Sequence, residues 1–195
     1  MKTKKILLTG ALLIVALFSV KSVMAQEPST SDQVVLNLKF KPVQSITVAT
    51  NQKTIDFVYA NQDNYDIGVT KAPQEKHLKV FSSGGFDISV KADNENFTST
   101  NTELIIPVSH ITVKALKNAG NTKETYTFTP KALSATAQTI ISSTGGGRNL
   151  EFDVEYDNTM DVNNEDYFAL GYNKNYLTDD ATVFTTNLTY TITTN

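Results

Sequence analysis

Two histidines are the first residues to consider for chemistry, because the chain has no cysteine and therefore no thiol nucleophile. His77 stands at the start of one alternating stretch and His110 at the start of another. Neither has a serine and an acid arranged as in a catalytic triad, and neither has a second ligand at metal spacing. We therefore expect both histidines to lie on the polar faces of strands, and we expect a protein that is not an enzyme.

An acidic stretch near the carboxyl end offers hard oxygen ligands of the kind that calcium prefers. Its candidate metal ligands are Asp157, Asp161, Asn163 and Glu165. The segment from Asp161 resembles the opening of a helix-loop-helix calcium loop, but Asp166 replaces the sixth-position glycine and Tyr172 replaces the twelfth-position carboxylate. A calcium site of another kind and a solvated acidic loop are the two interpretations.

The same stretch, residues 157–180, is rich in aromatic rings. A tyrosine ring can cover the apolar face of a sugar while nearby amides and carboxylates bind the hydroxyl groups. Tyrosines in long sandwich loops also pack against the end of the core. A site for surface glycans and a packing role therefore both remain open for Tyr167, Tyr172 and Tyr176.

The amino terminus predicts export. Lysines precede an apolar run from Ile6 to Val20, and Val23-Met24-Ala25 resembles a signal-peptidase site. We expect residues 1–25 to be a signal peptide, 26–33 a flexible leader and 34–195 one domain, with the periplasm, the cell surface and the medium as destinations. Later apolar runs are too short for a membrane span.

The mature chain is acidic. Without the four lysines of residues 1–25 it has 13 basic and 20 acidic residues, a net charge of −7. Nucleic acids and anionic lipids bind basic surfaces, so neither is an expected partner. Without disulfides, 170 residues must be stabilised by their core alone, which is long enough for the purpose.

A two-residue hydrophobic period dominates the mature sequence and predicts strands. The clearest example is residues 77–92, where two alternating runs flank Ser82-Ser83-Gly84-Gly85, and it predicts a β-hairpin. Similar runs occur at residues 34–40, 46–48, 55–59, 67–70, 111–115, 125–129, 139–143, 150–156 and 184–192. Roughly ten short strands with turns between them predict an all-β, antiparallel, immunoglobulin-like sandwich in a single enlarged domain.

The closing stretch, Phe184 to Thr194 (FTTNLTYTITT), resembles the last strand of chaperone-usher fimbrial subunits and of exported WxL-type domains. The resemblance implies a fimbrial or cell-surface protein in cell adhesion, whose incomplete sandwich accepts a strand from another subunit or from a second copy. Val34 to Phe40 has the alternation of such a donor, and Leu36, Leu38 and Phe40 would be the inserting residues. It could equally be the protein's own first strand.

Overall fold

The computed structural model describes residues 31–99, 105–122, 126–159 and 183–195. The chain divides into two units, residues 1–39 and residues 40–195. The predicted signal peptide and most of the predicted leader lie outside the described residues. No helix among those described is long and apolar enough to cross a membrane.

The second unit is an all-β structure whose paired strands are all antiparallel, as the sequence predicts. One short helix, α1 (Gln62–Ile67), begins at Asn61, whose side chain accepts a hydrogen bond from the Asn64 amide. In chain order, the strands within the described residues are β1 (Gln44–Val48), β2 (Gly68–Thr70), β3 (Gln74–Ser82), β4 (Phe86–Ala92), β5 (Thr98–Ser99), β6 (Thr112–Lys117), β7 (Tyr126–Phe128), β8 (Lys131–Ala132), β9 (Gln138–Ser143), β10 (Gly147–Thr159), β11 (Phe184–Thr185) and β12 (Leu188–Thr194).

Two sheets form a sandwich. The first has the order β1-β3-β10-β6-β8, and β2 also pairs with β10. The second has the order β12-β4-β9-β7, and β5 pairs with β11 in a small separate ribbon. Phe152 is fully buried at the centre and packs edge-on against Tyr126, Phe86 and Phe128 with ring centroids 5.0 to 6.4 Å apart. Burial of this apolar interior is what stabilises a chain without disulfides.

The predicted hairpin at residues 77–92 is wrong. Its two halves, β3 and β4, lie in different sheets, and neither pairs with the other. β3 pairs with β10 and β4 pairs with β9, so the connection at residues 83–85 passes from one sheet to the other. Alternation in both halves is equally compatible with the two arrangements, because each strand needs one apolar face in either case.

A second connection between the sheets, from β9 to β10, lies beside the first. In both connections the serine that ends the strand, Ser82 or Ser143, donates its hydroxyl to the carbonyl of the glycine two residues later. Gly146 fits so closely that an added Cβ would meet backbone atoms of Ser83 and Gly84 at 2.8 and 2.7 Å. We call residues 82–85 and 143–147 the glycine corner.

Two other predicted strands do not form. Residues 31–43 have no regular secondary structure, and residues 53–60 have none either. Ile55 and Phe57 nevertheless pack their side chains against the core. An alternating pattern therefore directs side chains inward without forming a ladder, since a strand also needs a neighbour whose backbone can pair with it.

Candidate functional site

Two edge strands, β1 and β12, face each other at one side of the sandwich. Cα atoms of β1 and β12 come within 8 Å of one another. Each belongs to a different sheet, and each pairs with a single neighbour among the described residues, β3 for β1 and β4 for β12. We call this side of the molecule the seam.

The backbone of β12 has one row of hydrogen-bonding groups directed toward the seam. Asp93 donates its amide hydrogen to the carbonyl of Asn187 (3.1 Å), which fixes the alternation of the ladder between β4 and β12. In an antiparallel pair, only every second residue bonds to the neighbouring strand. The N–H and C=O groups of Leu188, Tyr190 and Ile192 therefore point away from β4.

The same argument applies to β1. The Ala49 amide donates to the carbonyl of His77 (2.9 Å), so Ile46 and Val48 direct their backbone groups away from β3. The side chains of these residues and of Leu188, Tyr190 and Ile192 are half-buried and pack against the core. The seam thus combines outward backbone groups with incompletely covered apolar side chains, which are the two requirements for adding a strand.

A buried polar cluster lies beneath the seam and connects the sheets. His77 is 1 % exposed, and its Nε2 lies 2.8 Å from the Tyr156 hydroxyl of β10. The Tyr156 hydroxyl lies 2.6 Å from that of Tyr190 on β12. His77 Nδ1 lies 3.0 Å from Gln52 Oε1, in the turn that follows β1. We call these four residues the latch.

His77 is therefore not the polar-face residue that its sequence position predicts. A bulge explains the difference, because three residues of β3, Glu75 to His77, face the single residue Asp153 of β10. Lys76 at its centre has a φ of 54°, and its amide donates to Asp153 Oδ1 (2.6 Å). The bulge turns His77 inward beside Leu78, which is also buried.

The hydrogen atoms of the latch can be placed by following its donors. Gln52 Nε2 donates to the carbonyl of Glu75 (3.0 Å), so its Oε1 faces His77 and must accept from Nδ1–H. Nε2 is then an acceptor and receives the hydrogen of the Tyr156 hydroxyl. The Tyr156 oxygen in turn accepts from Tyr190. The hydrogen bonds of the latch therefore all run in one direction: Tyr190 donates to Tyr156, Tyr156 to His77, and His77 to Gln52.

Burial shifts the pKa of each of the three titratable residues of the latch away from its ordinary value. It lowers the pKa of His77 to about 4, because the imidazolium ion is poorly solvated there. It raises the pKa of Tyr156 to about 12, although the hydrogen bond from Tyr190 acts in the opposite direction. The pKa of Tyr190 is raised well above its ordinary value, mainly by burial and to a smaller extent by the neighbouring Tyr156. At neutral pH all three are uncharged.

The candidate donor residues are exposed. The exposed fractions of Leu36, Leu38 and Phe40 are 88, 84 and 91 %. Val34 and Val35 are similarly exposed, at 84 and 80 %. The segment thus has the predicted apolar residues, but it forms no strand within this chain, and the prediction of donation stays a prediction.

Of the candidate calcium ligands, only Asp157 lies among the described residues. It belongs to β10, where it accepts hydrogen bonds from Thr70 Oγ1 (2.9 Å) and from Lys114 Nζ (2.7 Å). Lys114 also contacts Glu155 (2.8 Å), and these two carboxylates raise its pKa. Within the part of the chain that the structure describes, no group of three potential ligands could hold a metal ion.

The other candidate residues of the 157–180 stretch, Asp161, Asn163, Glu165, Tyr167, Tyr172 and Tyr176, lie outside the described residues. His110 lies in a 3-10 turn (Val108–His110), where its carbonyl accepts a hydrogen bond from the buried Asn158. It is therefore not a strand residue, and the structure does not bring it together with His77 in the latch.

Sequence reasoning missed the latch. Its two tyrosines occupy apolar positions of β10 and β12, which indicated burial but not a partner. A buried tyrosine needs a hydrogen-bond partner for its hydroxyl, and that requirement was the available signal.

The chain matches no protein-family model, and no curated protein is significantly similar to it.

Proposed function

We propose that this is an exported, non-catalytic structural or adhesive protein whose copies join by strand addition. Residues 34–40 of one copy would supply the strand, and the seam of the next would accept it. The observation that carries the proposal is that one chain has both an exposed alternating segment and a seam with outward-facing backbone groups and half-buried apolar side chains.

The chemistry of the two surfaces is complementary. Leu36, Leu38 and Phe40 would lie on one face of the added strand and cover the apolar side chains of the seam. Asn37 and Lys39 would lie on the opposite, solvated face, like the threonines that alternate with Leu188, Tyr190 and Ile192 in β12. Each copy has one donor and one acceptor surface, so head-to-tail addition would build an open fibre.

The test compares two full-chain variants that change the charge equally. Leu36→Lys with Leu38→Lys places two lysines on the inserting face, whereas Val35→Lys with Asn37→Lys places two on the other face. We expect mature wild-type protein and the second variant to form multimers in light scattering at high concentration. The first variant should stay monomeric, because buried lysines would oppose insertion.

A labelled synthetic peptide of residues 34–40 provides the complementary measurement. The Leu36→Lys, Leu38→Lys variant should bind this peptide, since its own segment cannot occupy a neighbouring seam, and a scrambled peptide should not bind. A wild-type chain that is monomeric at every concentration and a variant that does not bind the peptide would together refute the proposal.

A further inference from the structure

The seam is narrower than a strand that pairs with both of its edges would need. Neighbouring strands in a sheet lie about 4.8 Å apart, so a strand between β1 and β12 needs roughly 10 Å between their backbones. Parts of the two strands are within 8 Å. Full insertion therefore requires β12 to move away from β1.

The latch opposes that movement. The contact between Tyr156 and Tyr190 joins β10 of the first sheet to β12 of the second, and the Tyr190 ring also packs edge-on against His77 (centroids 5.9 Å apart). Displacing β12 breaks the hydrogen bond between the two hydroxyls. The Tyr156 oxygen, in a residue only 4 % exposed, would then lose its donor.

Protonation of His77 is incompatible with the arrangement of hydrogen atoms in the latch. A proton taken from solvent onto Nε2 converts this atom from an acceptor to a donor, so it must donate to the Tyr156 oxygen. The Tyr156 hydrogen must then turn to the Tyr190 oxygen. Tyr190 thereby changes from donor to acceptor, and its own hydrogen must find a new acceptor away from the latch.

Among the described residues, the charged groups on the elements that pack around His77 do not face the imidazole. On β10, Asp153, Glu155 and Asp157 alternate with the inward-facing Val154 and Tyr156, and each is bonded on the outer face to Asn118, Lys76 N–H or Lys114. On β3, Glu75, Lys76 and Lys79 are exposed, as is Lys53 after the turn that holds Gln52. β1 and β12 contain no charged residue.

From this geometry we propose that the latch is acid-sensitive: protonation of His77 deprives the Tyr190 hydroxyl hydrogen of its acceptor within the latch, which weakens the hold on β12 and lets this strand move so that the seam can admit a strand. The release of β12 follows from the latch alone, whereas its consequence for strand addition rests on the proposed function. The direction is definite: mild acid should favour opening of the seam.

The size of the effect follows from the two states of the imidazole. A released His77 has an ordinary pKa near 6.5, whereas burial in the latch lowers the pKa to about 4. The released form therefore binds protons more tightly, and its population relative to the closed form should rise roughly twentyfold as the pH falls from 7 to 5. Below about pH 4 both forms are protonated, and the effect should level off.

Amide hydrogen exchange on the full mature chain tests the latch without requiring assembly. After correction for intrinsic exchange rates, we expect protection of β12 to fall roughly twentyfold between pH 7 and 5, while β6, outside the latch, stays more strongly protected than β12 at both pH values. His77→Gln cannot titrate and should abolish the pH dependence, whereas His110→Gln should retain it. Unchanged β12 protection in the wild type, or a fall that persists in His77→Gln, would overturn the proposal.

A second variant covers the case in which His77→Gln does not fold. Tyr190→Phe leaves His77 and Tyr156 paired but removes the hydroxyl that joins β12, so β12 exchange should be fast at pH 7 and almost independent of pH. A Tyr190→Phe chain whose β12 keeps wild-type protection at pH 7 would also overturn the latch.

Peptide binding separates this inference from the proposed function. In the Leu36→Lys, Leu38→Lys background, the rate at which the 34–40 peptide binds should rise between pH 7 and 5 by the same factor as the protection of β12 falls. If the peptide binds equally fast at both pH values, the latch does not control the seam and the inference fails. If β12 loosens in acid but no peptide binds at any pH, the proposed function fails and the latch stands.

Discussion

The glycine corner and the seam connect the same two sheets by opposite means. At the glycine corner, the backbone of one connection packs directly against the backbone of the other, with no side chain between Gly146 and Ser83. At the seam, half-buried side chains and the Tyr156–Tyr190 hydrogen bond join the edge strands. Backbone packing has no alternative conformation to adopt, whereas a hydroxyl can change its partner. A sandwich can therefore be rigid at one place and adjustable at another.

The largest effect should come from a methyl group at the glycine corner. Gly146→Ala places Cβ against backbone atoms of Ser82, Ser83 and Gly84 that cannot move independently, and we expect a loss of about 3 kcal/mol in the free energy of unfolding. Gly145→Ala is the matched control, because its Cβ would have no atom within 4 Å and its stability should change by less than about 0.5 kcal/mol. Urea unfolding of both variants measures the difference. Equal stabilities would contradict close packing at the corner.

An intermediate effect should come from acid acting on the latch. Because folding lowers the pKa of His77 to about 4 from an ordinary value near 6.5, the unfolded chain binds more protons between these values. Stability from the neutral imidazole is complete above about pH 6.5 and is lost as the pH falls toward 4, and we expect a loss of roughly 3 kcal/mol. Denaturant unfolding across this range measures it, and His77→Gln should lack this component. A wild type and a variant with identical pH profiles would show that the imidazole is not buried in neutral form.

The smallest effect should distinguish two tyrosine hydroxyls. Tyr190→Phe removes a hydrogen bond from the latch and should lower the free energy of unfolding at pH 7 by roughly 1 kcal/mol. Tyr126→Phe removes a buried hydroxyl that has no partner among the described residues, so this variant should be as stable as the wild type or slightly more stable. Thermal unfolding of the two variants side by side provides the comparison. The opposite order would mean that the latch does not stabilise the fold.

The two-residue period was sufficient to predict the fold class, because an apolar face must be buried whichever strands pair. It was insufficient to predict pairing. β3 and β4 have the pattern of a hairpin, yet they belong to different sheets, and only contacts distant in sequence, such as Gly146 with Ser83, distinguish the two arrangements. Residues 34–40 show the same difficulty, since their alternation does not identify a partner.

The latch was beyond sequence reasoning for a different physical reason. Alternation assigned His77 to the polar face, and the bulge at Lys76 reversed that assignment. A bulge inserts residues without changing the pattern on either side of it, so the sequence of β3 alone does not reveal it. The burial of Tyr156 and the partial burial of Tyr190 were predictable from their apolar registers, but their partnership with His77 was not.

The bulge in β3 has one more consequence. Three residues stand there opposite one, so the main chain carries two residues more than the ladder requires. That surplus length lets an imidazole enter the interior while Leu78 keeps its place in the apolar layer. Deleting two residues of the bulge would leave the apolar registers of both sheets intact. The interior would then lose the His77 imidazole, which is the only base within the described core that could take up a proton.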